Sequence, residues 1–408
     1  MKDSKEYAEL SHLKRLVLQS TAADEQKEEM VRSVRTIEKE MHRLNFQLER
    51  DMKEKRTLST LLARTSEDLE KSSELIKKMF GRYLSNEVMN SLLDDPGALA
   101  LGGEKRTVTI MVTDLRGFTA LAERLKPEQV VQILNAYFEV MVDVILQHHG
   151  TINEIIGDSL LVIFGAPQAL TDRTQRAIAC AIDMQNAMAR VNERNSREGL
   201  PLLEMGIGIN DTEVVVGNIG SSKRSKYAVV GSGVNVTSRI ESYSVGGQIL
   251  VSDSVLQEAG QILRVDSQQD VIPKGMEASI RIYGIGGIAG HYNLALENKP
   301  LQLRTLARKI PIHCTMMDGK SSEEKIVRGD VIRLSADSAT VLLNAPVGAL
   351  TNLKMELDGV DEKLSARRFY GKVIRAQAQE ECTYLIRFTS LSPEIDAYFQ
   401  AHLRHATD

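Results

Sequence analysis

The stretch TINEIIGDSLLVIFGAP, residues 151–167, holds two apolar runs separated only by Gly157 and Asp158. Runs of this kind, split by a glycine-containing pair, read as a tight β-hairpin whose strands are buried under helices. A carboxylate at such a position costs desolvation energy unless a cation or hydrogen-bond donors meet it. The arrangement recurs in IMVTDLRGFT, residues 110–119, where Asp114 follows a second apolar run. Either aspartate alone suits an ordinary turn or helix cap. Two on neighbouring strands make an all-oxygen donor set, which Mg²⁺ prefers together with a substrate phosphate.

The surrounding pattern alternates strands and helices. From Thr107 it reads as strand TVTIMVTDL, a helix from Pro127 to Gly150, the hairpin over 151–165, and a helix over 171–197. Strands LLEMGIGI and VVVGNIG, helix VNVTSRIESY and strand QILVSD follow. The order predicts an α+β, or α/β, sandwich with helices against a mixed sheet over residues 105–288. His148 and His149 close the helix before Gly150, where partial positive charge is welcome. The glycine-rich GIGGIAGH, residues 284–291, opens no helix and reads as linker.

Two further segments flank this domain. In residues 1–80 the apolar positions Val34, Ile37, Met41, Leu44, Leu48, Leu58, Leu62, Leu69 and Ile76 follow a heptad seam. Asp51, Lys55, Thr65 and Ser72 interrupt it, so a parallel coiled-coil dimer is locally weak, and an amphipathic helix packed on its own domain is the alternative. Residues 81–104 read as a short helix and a linker broken by Pro96 and the Gly102-Gly103 pair. Residues 300–405 carry short alternating stretches that suit a small β-barrel closed by a terminal helix.

Composition narrows the function classes. Lys and Arg total 51 against 55 Asp and Glu, a net charge of −4, which argues against nucleic acid or another polyanion as partner. The three cysteines, Cys180, Cys314 and Cys382, lack metal-ligand spacing and point to a reducing, cytoplasmic setting. The charged N-terminus and the lack of a continuous apolar run of about 18 residues predict no signal peptide and no membrane span.

In VVGSGVNVTSRIES, Asn235 and Arg239 stand four residues apart on one helical face. Arginine there can fork onto a phosphate and asparagine can orient a sugar hydroxyl, although a surface ion pair is the commoner use of such an arginine.

Residues 105–288 resemble the catalytic domain of the class III nucleotidyl cyclases, the adenylyl and guanylyl cyclases. VTDLRGFTALAE, GTINEIIGDSLLVIFGAP, GIGINDTEVVVGNIGS and VNVTSRIES carry the resemblance, in the family's order. FGRYLSNEVMNSLL is similar to the coupling element preceding many bacterial members. The resemblance implies conversion of a purine nucleoside triphosphate to its 3′,5′-cyclic monophosphate in a head-to-tail homodimer, with two Mg²⁺ or Mn²⁺ per site. Asp114 and Asp158 of one protomer would hold the metals, while Asn235 and Arg239 of the other would position the ribose and stabilise transition-state charge. The amides of Gly117, Phe118 and Thr119 would cradle the triphosphate.

Three departures from the family pattern bear on substrate choice. Adenylyl cyclases usually have lysine four residues before the second metal aspartate, whereas Glu154 stands here, as in guanylyl cyclases. A carboxylate accepts from guanine N1 and the 2-amino group, so GTP is favoured over ATP, with an adenylate cyclase as the alternative. The partner base-reading position is Ala228, which makes no side-chain hydrogen bond. The lysine that reaches the terminal phosphates is replaced by Met276, and Lys274 is its candidate substitute. The alternative of another class is a cyclase-like module that senses nucleotide or cyclic di-GMP without turnover.

The C-terminal barrel resembles a PilZ domain, a family that often binds cyclic di-GMP. Arg304 and Arg308 reproduce its R-x-x-x-R spacing just before the first strand. Of the D-x-S-x-x-G motif only Ser335 is retained, with Arg333 for Asp and Ser338 for Gly. Cyclic di-GMP or a protein partner is the expected occupant.

Overall fold

A computed structural model describes residues 3–21, 23–80, 88–89, 100–273, 278–297, 301–317, 326–376 and 382–407. The chain divides into two compact units, residues 1–83 and 84–408.

The first unit is a helical hairpin of α1 (Asp3–Gln19) and α2 (Asp24–Phe80). The fold-back of α1 was not predicted. Its Lys14 pairs with Glu38 at 3.6 Å, and Val34 is buried. Ile37, Leu44, Leu48, Leu58, Leu62 and Leu69 of the seam stay exposed in the single chain.

The second unit begins with β1 (Gly102–Leu115) and the short helix α3 (Phe118–Ala122). Helix α4 (Pro127–Gln147), strands β2 (Thr151–Ile156) and β3 (Ser159–Phe164), and helix α5 (Arg173–Arg197) follow. Next come β4 (Met205–Ser221), β5 (Arg224–Val230), α6 (Ser232–Tyr243), β6 (Ile249–Ser252) and α7 (Asp253–Ala259). Strands β7 (Leu263–Val271), β8 (Ile280–Ile288) and β9 (Leu294–Ala295) complete the domain. The sheet runs β2-β3-β1-β4-β6-β8-β7, with β5 paired to β4 and β9 to β8. All pairs are antiparallel except β4 with β6.

Strand alternation explains the two covered faces. Met111 and Leu115 of β1, with Leu160, Val162 and Phe164 of β3, pack under α4 and α5. The intervening Val108, Ile110 and Val112, with Leu161 and Ile163, form a second cluster with Val214, Val216 and Val229. Helix α4 has 21 residues and is the one described helix long and apolar enough to cross a membrane. Its Ile133, Tyr137, Met141 and Ile145 belong to this domain's core, which accounts for its apolar character.

Two local expectations need correction. The MGIGI of LLEMGIGI and VVVGNIG are parts of one strand, β4, because β1 pairs with it continuously from Gly102↔Asn218 to Leu115↔Met205. Residues 284–288 are buried strand rather than linker. A Cβ at Gly284 would lie 2.3 Å from Ser267 Oγ, so these glycines make room for neighbouring side chains. His148 and His149 do end a helix: His149 has φ 55°, and His148 Nε2 shares a 2.8 Å hydrogen bond with Asp183.

The C-terminal part is a closed six-stranded antiparallel barrel, in the order β10-β11-β12-β15-β14-β13. Its strands are β10 (Arg304–Met316), β11 (Ile326–Leu334), β12 (Ser338–Leu343), β13 (Asn352–Leu357), β14 (Arg368–Ala376) and β15 (Thr383–Ser390). Helices α8 (Glu362–Ser365) and α9 (Pro393–Leu403) accompany it. Phe399 of α9 stacks on Phe388 at 5.4 Å and so plugs the barrel, as a terminal helix was expected to do. This architecture is consistent with a PilZ-like domain. Arg304 and Arg308, however, lie within β10 rather than before it, since the ladder to β11 already starts at Arg304↔Leu334.

Candidate active site

Asp114 shares the face of β1 occupied by Val108, Ile110 and Val112, because strand side chains alternate. Asp158 occupies the two-residue turn between β2 and β3, and Ile156 pairs with Ser159 across it. Gly157 has φ 63°, the left-handed backbone that a tight hairpin turn needs and glycine adopts freely. The Leu115 amide donates to Asp158 Oδ2 at 3.0 Å, and this bond holds the turn carboxylate beside the end of β1. The predicted pair is therefore brought together.

Burial, joined by the like charge of the neighbouring Asp158, pushes the Asp114 carboxyl up to about 6. The Arg116 guanidinium opposes that rise, with Nη2 at 2.8 Å from Asp114 Oδ2. Arg116 also ion-pairs with Glu241 of α6 and donates from Nη1 to Ser244 O at 3.3 Å. Its side chain is only 9% exposed, and its buried Nε has no hydrogen-bond partner among the described residues. Glu241 is pushed up to about 7, first by burial and then by the charge of Asp114, against the opposing effect of Arg116. Neither Arg116 nor Glu241 was singled out from sequence. The available signal was the spacing of two that sets Arg116 beside Asp114; nothing local marks Glu241.

Glycines let α6 approach the carboxylates. A Cβ at Gly208 would lie 2.4 Å from the Glu241 backbone nitrogen, and one at Gly206 would collide with Ser244 Oγ. Gly206 pairs with Asp114 across the β1–β4 ladder, so this close crossing delivers Glu241 to the carboxylate site.

Gly117 precedes α3 with φ 68°, and the buried Phe118 opens that helix with Thr119 behind it. The first turn of a helix leaves amides without intrahelical acceptors, which suits them to phosphate oxygens. Lys274 and Met276 lie outside the described residues, as does most of the coupling element at 81–99.

Glu154 is half-buried on β2, with Oε1 2.9 Å from Lys226 Nζ on β5. Ala228, two residues further along β5, is buried. On α6, Asn235 is exposed and Arg239 half-buried. Among the described residues, neither makes a recorded hydrogen bond or ion pair to Asp114 or Asp158.

No group of three or more His, Cys, Asp and Glu side chains forms a ready cation cage among the described residues. Two adjacent carboxylates nevertheless fit a hard divalent ion that completes its shell with water and phosphate. In the barrel, the exposed Arg308 lines a cavity of about 340 Å³ with Leu306, His402 and His405. Ser335 is buried in a turn, where its Oγ donates toward Asp337 Oδ1 at 3.0 Å.

Residues 103–286 match the family model of the adenylate and guanylate cyclase catalytic domain. Adenylate cyclase 1 of Rhizobium meliloti (strain 1021) is 29% identical over 216 residues, covering 52% of this chain and 32% of the relative. The chain thus spans about a third of that relative's length. The crystal structure of the guanylyl cyclase Cya2 is 51% identical with a TM-score of 0.48, and covers 48% of this chain and 100% of that one. The adenylyl cyclase CyaB from P. aeruginosa is 30% identical with a TM-score of 0.45, with 48% of this chain and 100% of that one covered. Residues 103–286 are therefore a class III adenylate and guanylate cyclase catalytic domain, set before a six-stranded barrel.

Proposed function

We propose that this chain converts a purine nucleoside triphosphate, GTP in preference to ATP, to the 3′,5′-cyclic monophosphate with release of pyrophosphate. The ribose 3′-oxygen bonds to the α-phosphorus as the bond from that phosphorus to the pyrophosphate oxygen breaks, and the hydroxyl proton passes to water. The observation that carries this reading is the convergence of Asp114 and Asp158 at the ends of adjacent strands, beside the Gly117 turn.

Asp114 and Asp158 would hold two Mg²⁺ or Mn²⁺ ions together with the substrate phosphates. When bound, such ions acidify the 3′-hydroxyl and screen phosphate charge. The amides of Phe118 and Thr119 bind terminal phosphate oxygens. Arg239 stabilises the charge that builds at the α-phosphate, and Asn235 orients the ribose. A second copy of the chain supplies these two residues. The exposed apolar seam of α2 supports a dimer, as does the lack of any hydrogen bond or ion pair from Asn235 or Arg239 to these carboxylates among the described residues.

Glu154 favours guanine because its carboxylate accepts from N1–H and the 2-amino group, a donor pair that adenine lacks. Purified protein with Mn²⁺ should be assayed against GTP, ATP, CTP and UTP in parallel. Cyclic GMP as main product is expected, and Asp114→Ala abolishes it. Absence of cyclic product from all four triphosphates ends the reading.

A further inference from the structure

A buried barrel lysine reaches into the catalytic domain. Lys372 of β14 is 2% exposed, and its Nζ donates to Ser242 O at 2.5 Å and to Ser244 O at 2.9 Å. These carbonyls belong to the C-terminal end of α6, where a helix leaves acceptors unpaired and favours positive charge. An ammonium is buried at such depth only when its donors and charge are met. Glu241 and Asp114 both feel this charge. Ser244 O also accepts from Arg116, so barrel lysine and metal-site arginine share one carbonyl.

Other barrel contacts converge on the same rim. Arg387 of β15 pairs with Glu204 at 3.2 Å, and the Glu204 carbonyl accepts the Arg116 amide at 2.8 Å. A Cβ at Gly117 would lie 2.4 Å from Thr389 O of β15, so the turn before α3 touches the barrel directly. Leu350 packs against the cluster of Ile240, Leu250, Val271 and Ile282 on the α6 side of the sheet.

We propose that the barrel is a working part of the catalytic site, and that Lys372 is its positioning residue: it fixes the end of α6 and, through Arg116 and Glu241, the carboxylate of Asp114. Helix α6 also carries Asn235 and Arg239, so the same contact sets the residues offered to the second copy's site. A misplacement of about 1 Å by a remote change can cost a hundredfold in rate, which makes a fixed helix end consequential. The inference rests on the cyclase reading for its kinetic test, and its structural test does not.

Lys372→Met, Lys372→Arg and Leu350→Ser should be compared with wild type in the full chain. Turnover, triphosphate KM, the Mn²⁺ needed for half-maximal rate, and hydrogen exchange over residues 232–244 are the readouts. Lys372→Met is expected to lower kcat by about ten- to a hundredfold with KM within about twofold, since only positioning is lost. Half-maximal Mn²⁺ falls, because a repelling charge has gone, and α6 amides exchange faster. Lys372→Arg restores part of the rate. Leu350→Ser, which loosens the barrel without removing the charge, lowers kcat without lowering the Mn²⁺ requirement. Unchanged or raised kcat in Lys372→Met overturns the proposal, a rise making the barrel a brake. If wild type makes no cyclic product the cyclase reading fails, and unchanged α6 exchange in Lys372→Met then overturns the docking role independently.

Discussion

The Leu115 amide donates to Asp158 Oδ2 at 3.0 Å, tying the tip of the β2–β3 hairpin to the end of the strand that carries Asp114. This amide-to-carboxylate hydrogen bond helps bring together two carboxylates that are 44 residues apart in the chain (158 − 114).

Asp158→Asn keeps an oxygen that can accept from Leu115 and removes the charge. We expect little change in thermal midpoint and a loss of cyclase rate of at least about a hundredfold, the scale found when a charge-stabilising group is removed. Calorimetry and a product assay on the same preparation check the two halves. A variant that retains wild-type rate would falsify the metal role of Asp158.

Glu154→Lys reverses the charge that reads the base. The Glu154 and Lys226 side chains keep 41% and 57% of their surface open to solvent, so loss of the pair costs at most about 1 kcal/mol of stability. Loss of the guanine contact should lower kcat/KM for GTP by about a hundredfold or more while ATP changes less, because polar groups left unpaired are strongly rejected. Competition kinetics with the two triphosphates measures the ratio, and equal losses for both would count against base reading by Glu154.

Glu241 links stability to pH. Its carboxyl is raised from 4.5 to about 7, so the stability it contributes is fully present below pH 4.5 and lost as pH rises through 7. The swing is on the order of 3 kcal/mol at most. Asp114, raised from 3.8 to about 6, acts in the same direction over a lower window. Glu241→Gln should therefore shrink the fall in urea midpoint between pH 5 and pH 7.5, and an undiminished fall would assign the effect elsewhere.

Leu58 and Leu62 of α2 are 58% and 64% exposed in the single chain. The double substitution Leu58→Asp with Leu62→Asp should weaken self-association and make cyclase activity depend on protein concentration. Sedimentation velocity checks the mass, and wild-type dimerisation in the variant would remove the seam from the interface.

Much of the catalytic domain was legible because its signals are local. The hairpin at 151–164 follows from two apolar runs around Gly-Asp, and Asp114 and Asp158 stand out because carboxylates rarely end such runs without a purpose. The barrel followed from short alternating stretches. Sequence placed Arg304 and Arg308 ahead of the barrel and split β4 in two, because strand ends depend on the partner strand rather than on local residue type.

The sequence by itself determined the carboxylate pair, the Asn235–Arg239 spacing and the succession of domains, since each rests on residues close in the chain. Only the tertiary structure decided that Arg116 bridges Asp114 to Glu241, that Lys226 engages Glu154, and that Lys372 enters from the barrel. Those contacts join positions 125, 72 and 130 residues apart. A buried charge acquires its partner from whatever packing brings beside it, and residues so distant in sequence meet only once sheet, helix and barrel are assembled.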